Sequence, residues 1–489
     1  MFGSELPSLE VIGGLDETGL VDVMQQAARL QAASLARVFA AGAQLYHRRE
    51  AEHDIADREI WAIDGWEAVA AEIAAAQGIS RGRASGQLRI GLVLADRLPR
   101  FAALFAAGVV DYQVVAAVVH RTDLMIDPGA IPRMDRWLER NATRWGKWSR
   151  NRIIEAVDYW VQVLEPIAVR EARTFEKSRN IGVMPQHSGL AEVFGYVRTP
   201  DALAFDQRLS ELAATVCKFD PRTNAERRAD ALRALTAGAA TMACECGSPE
   251  CPAATGDAPV GAVMIHVMAE QATLDGRSDS PAYVPGFGGL SAEAVRNIAK
   301  SAKRRIVRHP GDAAAEPGYR PSTALADFVR CRDLTCRFPG CGRRAECADI
   351  DHTVPYPLGP THPSNLKLLC RLHHLLKTFW TGQNGWSDRQ EPDGTVIWTA
   401  PTGHTYVTKP GGALYFPQLA VPTGELDLPT WSPTGNRGLM MPARRRTRAQ
   451  DRAYRIWLER NHNQERIAAE AAEAAERRAF AACNDPPPF

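Results

Sequence analysis

Within about 40 residues the chain carries two interleaved sets of side chains able to bind metal. The first is Cys336, Cys341, Cys370 and His373. Cys336-x4-Cys341 spans a Phe-Pro-Gly turn, and Cys370-x2-His373 opens a helical pattern. Two such pairs brought together give tetrahedral Cys3His coordination, which suits zinc and leaves no open position, so the site is structural. It pins a unit too small to have a core of its own. Cys331 and Cys347 sit at similar spacing and read as buried free thiols.

The second set is Asp351, His352, Asn365 and His374. Phosphodiester hydrolysis needs an activated water, a Lewis acid on the phosphate and correct placement of both. Asp351 and His374 are expected to hold a divalent ion, Mg²⁺ or Mn²⁺, and carboxylate is a competent ligand for it. His352 is expected to deprotonate the attacking water, a task suited to an imidazole titrating near neutrality. Asn365 is expected to fix the loop between two strands through side-chain-to-backbone hydrogen bonds, and so to orient His352. Lys377, about one turn after His374, is expected to bind a phosphate. Alternation along Asp349-Ile-Asp-His352 puts the two acids on one face and His352 on the other, so a bend is needed for all to reach one site. Adjacent helical residues point about 100° apart, so His373 and His374 can serve different metals.

On these residues the segment resembles the HNH endonuclease module. His352, Asn365 and His374 match its three lettered positions, Asp351 stands at its first metal ligand, and the Cys pairs match its zinc-stabilised subset. The resemblance implies a ββα-metal fold, a one-metal nuclease mechanism and double-stranded DNA as partner. The acid at position 351, where His is common, is a departure that keeps metal binding intact. From about residue 20 to 410 the chain resembles the actinobacterial 13E12 repeat family, in which a mostly helical domain of unknown function precedes a C-terminal HNH module. Two rival classes remain: a non-catalytic zinc-containing DNA-binding protein derived from a mobile element, and a zinc-stapled interaction scaffold.

The elements that must position these residues follow from pattern. An α+β multidomain chain is expected: a mainly α-helical domain over 14–310, the ββα module with a following β-hairpin over 321–408, and a Pro/Gly-rich linker with a basic charged tail over 409–489. Apolar residues recur at helical spacing over 14–50 and 65–119, with breaks at Gly78, Leu98-Pro99 and Gly108. Trp137, Trp145, Trp148 and Trp160 are expected to pack within helices over 132–175. Short strands are expected at 181–184 and 190–197, flanking a turn, and a buried strand over 260–268. Helices are expected over 201–216 and 224–237, from a capped start at Ser291, and from Pro321 into the cysteine motif.

Length, composition and charge set the outer limits. At 489 residues, with 45% apolar and 24% charged residues, the chain has the makings of two or three soluble domains. No apolar run reaches the ~20 residues of a membrane span, and no export signal is visible, so a cytoplasmic protein is expected, with the nucleoid as one place for it to act. The net charge of +1 is uninformative, but basic charge is local: eight Lys/Arg against four acids over 330–377, and seven Arg against two acids over 444–460. The second run is expected to contact DNA backbone or to be a solvated tail. Ala71 to Ala84 has a helix-turn-helix cadence, with Arg81 and Arg83 opening the second helix; a plain helical corner is the competing reading. Cys244-x-Cys246-x4-Cys251 offers three further ligands with His266 as a remote fourth, either a second zinc site or a loop of reduced cysteines.

Overall fold

In the computed structural model the described residues are 6–52, 58–145, 148–169, 179–185, 190–254, 266–285, 288–300, 302–382, 385–429 and 440–484. In chain order the helices are α1 (Leu9–Ile12), α2 (Glu17–Glu52), α3 (Gly65–Gln77), α4 (Arg81–Asp96), α5 (Pro99–Ala106), α6 (Tyr112–Arg121), α7 (Ala130–Ala142), α8 (Arg150–Leu164), α9 (Thr199–Ala213), α10 (Asn224–Thr236), α11 (Gln271–Leu274), α12 (Ala292–Ala299), α13 (Thr323–Asp333), α14 (Arg371–Phe379) and α15 (Arg448–Asn484). The strands form antiparallel sets: β1 (Asn180–Pro185) with β2 (Ala191–Tyr196), β3 (Ala282–Val284) with β4 (Gly288–Leu290), β5 (Ala348–His352) with β6 (Leu366–Cys370), and the meander β7 (Ser387–Gln390), β8 (Val396–Thr399), β9 (Thr405–Thr408).

The expected breaks fall where the chain lacks helix-continuing residues. Gly78 closes α3 in the left-handed conformation, with φ 62°, and Ser80 caps α4 through a hydrogen bond from Arg83 N to its Oγ. Pro99 opens α5. Ser291 caps α12 and Ser322 caps α13. The turn residues 186–189, residues 260–265 of the expected strand over 260–268, and the final residues 485–489 lie outside the described residues.

Contacts divide the chain into two units, one of residues 1–170 and 307–489, the other of residues 171–306. The boundary expected near residue 320 therefore does not separate the cysteine motif from the N-terminal helices. Helices α2 and α4–α8 enclose one core built on Phe39, Phe101, Phe105, Val118, Met134 and Val157, with Trp145 inside it and Trp137, Trp148 and Trp160 at its margin. A second core joins Ala68, Ala71 and Ala75 of α3 to Phe338, Leu369, Leu376, Trp380, Trp386 and Trp398 of the motif and its following sheet. The alanines let β6, α14 and the meander approach α3 closely, which is why the motif shares a core with the helical region.

In the tail, α15 is a helix whose arginines are mostly exposed, but two basic residues at or just before its start turn inward, contrary to a purely solvated or DNA-facing run: Arg444 Nη1 donates to Asp64 Oδ2 at 2.9 Å, and Arg448 Nη2 to Glu67 Oε1 at 2.7 Å. Both acids are buried in α3's first turn and its cap. Further along, Asn463 Nδ2 donates to the carbonyls of Ile167 and Val169. Arg81 likewise donates twice to Glu67, so one of the two arginines that open α4 is tied within the fold, as in a plain helical corner.

Candidate metal centre and its histidine

The path to the site starts at the end of α13. Arg332 is 1% exposed and donates to the carbonyls of Pro363 and Leu366, at 2.8 and 2.6 Å. Asp333 accepts the amide of Leu368 at 2.9 Å. Together they fasten β6 before it enters the zinc-type cluster. The Cys336–Cys341 turn needs Gly340, whose φ is +73° and where a Cβ would lie 2.6 Å from the carbonyl oxygen of Ile79. The turn thus rests on the α3–α4 corner.

Cys336, Cys341, Cys370 and His373 converge, with all four ligand atoms within 4.8 Å of one another. His373 Nδ1 lies 3.4 Å from Cys336 Sγ and 3.3 Å from Cys370 Sγ, and the sulfurs of Cys341 and Cys370 are 4.0 Å apart. Zinc–sulfur bonds of ~2.3 Å at tetrahedral angles put ligand atoms roughly 3.5–3.8 Å apart, so the set fits that ion. The His373 ring stacks on Phe338 with centroids 4.0 Å apart, which fixes its orientation. Burial pushes the Cys336 thiol well above its ordinary value, while hydrogen bonds from Cys336 and Cys341 hold Cys370 far below it. Of the three thiols, Cys370 is thus the one whose anion the cluster favours. Cys331 and Cys347 stand outside the cluster, and Cys347 is exposed rather than buried.

Beside this cluster, β5 and β6 pair in the register Asp351↔Lys367 and α14 packs across them. Alternation places Asp349 and Asp351 on the face toward α14. His374 lies between them, its Nδ1 2.9 Å from Asp349 Oδ2 and its Nε2 3.5 Å from Asp351 Oδ1. Exposure falls inward, from 42% for the side chain of Asp349 through 24% for His374 to 11% for Asp351. Asp351 and His374, expected to share an ion, are therefore adjacent. Asp349, to which no role was given from sequence, is the carboxylate that orients His374. Its signal was its place two residues before Asp351.

Asp351 is fixed from behind. Lys367 Nζ lies 2.9 Å and Lys377 Nζ 2.7 Å from its Oδ2, and Asp388 lies 2.6 Å from Lys367. Burial opposes ionisation of Asp351, yet Lys367, Lys377 and His374 together hold its carboxyl well below the usual range. Lys377 is 5% exposed and also donates to the carbonyls of His352 and Thr353. The expectation that it binds phosphate is corrected: its position on α14 points it into the fold, where two acids and two carbonyls take its charge.

His352 ends β5, and its hydrogen bond and ring contacts go to Thr361, Tyr319 and Tyr356 and none to Asp349 or His374, so these contacts do not show the bend expected to bring the imidazole into one site with them. Its Nε2 lies 2.9 Å from Thr361 Oγ1, and its ring stacks on Tyr319 with centroids 5.3 Å apart. Thr361 gives its one hydroxyl proton to Gly318 O at 2.6 Å. It must then accept from His352, which puts the imidazole proton on Nε2 and the lone pair on Nδ1. Burial lowers the pKa of His352 below the ordinary imidazole value, against the pull of Asp351.

Asn365 is fully buried. Its Oδ1 accepts from Val354 N at 2.8 Å, and its Nδ2 donates to the carbonyls of Val354 and Pro360 at 3.0 and 2.9 Å. It thereby closes the loop that leaves β5 directly after His352. A Cβ at Gly359 would meet Val354 O at 2.3 Å and Asn365 Nδ2 at 2.6 Å, so only glycine lets the loop pass this side chain.

Among relatives, "Uncharacterized protein Rv2100" of Mycobacterium tuberculosis strain H37Rv is 44% identical over 95% of this chain and 91% of its own length. "Uncharacterized protein Rv3776" of the same strain is 44% identical over 94% of this chain and 93% of its own. No solved structure matches the chain. Residues 25–333 match the family described as "Domain of unknown function (DUF222)", a match that stops at Asp333, just ahead of the first cysteine of the zinc-type cluster. Because that match takes in more than half of its length, the chain belongs to the DUF222 family.

Proposed function

We propose that this protein is a metal-dependent DNA endonuclease of the HNH type, with β5, β6 and α14 as its ββα-metal module. The observation that carries the reading is the meeting of Asp351 Oδ1 and His374 Nε2 at 3.5 Å, with Asp349 on the imidazole's other nitrogen. A carboxylate–histidine–metal chain has that form, because the outer carboxylate fixes ring orientation and raises the basicity of the ligating nitrogen. The acids and the imidazole suit Mg²⁺ or Mn²⁺. When bound, such an ion supplies Lewis acidity at a phosphoryl oxygen.

The chain's own groups do the rest. With the end of β5 bent to bring the imidazole to the ion, His352 accepts the proton of the attacking water on Nδ1, while Thr361 holds the ring through Nε2. The lowered imidazole pKa keeps that nitrogen unprotonated at neutral pH. Asn365 keeps the loop after β5 in place, and so keeps His352 where Thr361 and Tyr319 can orient it. Cys336, Cys341, Cys370 and His373 hold a structural zinc that sets the start of α14, and with it His374.

The test is conversion of supercoiled plasmid to nicked or linear DNA by the full chain in Mg²⁺ or Mn²⁺. Wild type is expected to cut, EDTA to stop it, and His374→Ala and Asp351→Asn to reduce it at least 10²-fold. DNA retained in a gel shift without any cutting would favour the non-catalytic binder instead.

A further inference from the structure

We propose that the unit formed by residues 171–306 carries a zinc of its own, held as a tetrathiolate by Cys217, Cys244, Cys246 and Cys251. The four sulfurs lie within 4.8 Å of one another, and those of Cys217 and Cys244 are 3.6 Å apart. Tetrahedral zinc with four bonds of ~2.3 Å puts its sulfurs roughly 3.8 Å apart. A disulfide needs ~2.05 Å, and all four cysteines are free. His266, the remote fourth ligand expected from sequence, is not in the cluster; Cys217 is. Helix α10 separates it in sequence from the other three, so spacing alone does not group it with them.

The surroundings are built to bring the two segments together. Cys217 follows α9, and the Cys244–Cys251 loop follows α10. Asp220, whose side chain is fully buried, accepts from Arg222 and from the amide of Glu245, which lies between Cys244 and Cys246. Arg222 also donates to the carbonyl of Ala243 at 2.9 Å. Met242 N donates to Thr215 Oγ1 at 3.0 Å, and Arg208 Nη2 to Ala239 O at 3.1 Å. Four of these contacts pin the loop before and within the cysteine run to α9 and the segment after it. Backbone turns complete the loop: Cys244 N to Ala253 O at 2.7 Å, and Gly247 at φ +73°.

The energetic need is visible in the core. The cluster around α9 and α10 is made largely of small side chains, with Leu209, Leu212, Val216, Ala231, Ala234 and Met242 at its centre. A helical hairpin with so little buried apolar surface gains a great deal from a metal staple. Four sulfurs leave no open position, so the ion is structural. Binding exchanges four thiol protons for one Zn²⁺, and the protons pass to solvent.

The experiment is metal analysis of the purified full chain by inductively coupled plasma mass spectrometry. Two zincs per chain are expected for wild type. Cys217→Ser and Cys246→Ser should each retain one, and Cys370→Ser should also retain one, because the two sites fill independently. X-ray absorption at the zinc edge of the wild type needs no variant to fold. It should give a mean sulfur coordination midway between three and four. A wild type holding one zinc that Cys217→Ser keeps, or an edge spectrum with three sulfurs per zinc, overturns the proposal. So does intact mass showing two disulfides among these four residues.

Discussion

At the scale of single residues, the candidate site separates three tasks that its sequence packs into adjacent positions. His352 offers a lone pair, Asp351 and His374 offer ligands, and Asp349 orients. If His352 is the base, its lowered pKa puts the acid limb of the cleavage profile below pH 6.5, its ordinary value. The rate should hold from neutrality down past that pH and fall only when Nδ1 takes a proton; a limb above pH 6.5 in a plasmid-cleavage profile would argue against this. Asp349→Asn should leave the fold intact and weaken Mn²⁺ binding by about 10–100-fold, read by electron paramagnetic resonance, since a second carboxylate on a ligating imidazole has that effect elsewhere. Lys367→Met removes one cation from a buried group of two lysines and two aspartates. It should cost roughly 3–5 kcal/mol in urea unfolding, because two buried carboxylates are then left sharing Lys377 and one negative charge is uncompensated. The ligand types, their order and the face shared by Asp349 and Asp351 were legible in the sequence. The direction of Lys377 was not: a helical lysine one turn past a ligand can point at a substrate or into the sheet, and Asp351, Asp388 on β7 and the carbonyls of His352 and Thr353 together decide it.

At the scale of elements, helices with strong stop signals were legible and long-range partners were not. Gly78, Pro99, Ser291 and Ser322 mark their boundaries through backbone conformation and capping, both local effects. The Cys336–Cys341 turn was legible as a turn able to offer metal ligands, but its seat on the α3–α4 corner was not, because a glycine needed for close approach looks the same in sequence as one needed for a turn. Gly340→Ala tests that seat. A Cβ would press on the carbonyl of Ile79 and strain a positive φ. The expected loss is about 1–3 kcal/mol, seen as a lower melting temperature with one zinc more easily chelated.

At the scale of the whole molecule, the tail was the least legible part. A run of arginines followed by Ala/Glu/Arg-rich sequence has the composition of a solvated segment, and nothing within it points to Asp64 and Glu67, which lie almost 400 residues earlier. Only the fold creates those buried acids and thus the demand for Arg444 and Arg448. The double variant Arg444→Ala/Arg448→Ala should lose roughly 1–3 kcal/mol in thermal unfolding. That is less than a fully buried pair would lose, since the two arginine side chains remain 25% and 34% exposed. Within the unit of residues 1–170 and 307–489, the helical region and the ββα segment share one core, so the candidate nuclease is not a detachable appendage. Its central claim is chemical: His352 takes a proton from water beside an ion held by Asp351 and His374. The most direct measurement is the plasmid-nicking rate of zinc-loaded wild type and His352→Ala, purified identically and assayed in Mn²⁺. The account predicts a loss of about 10²–10⁴-fold on removing the imidazole; equal rates for the two proteins would contradict it.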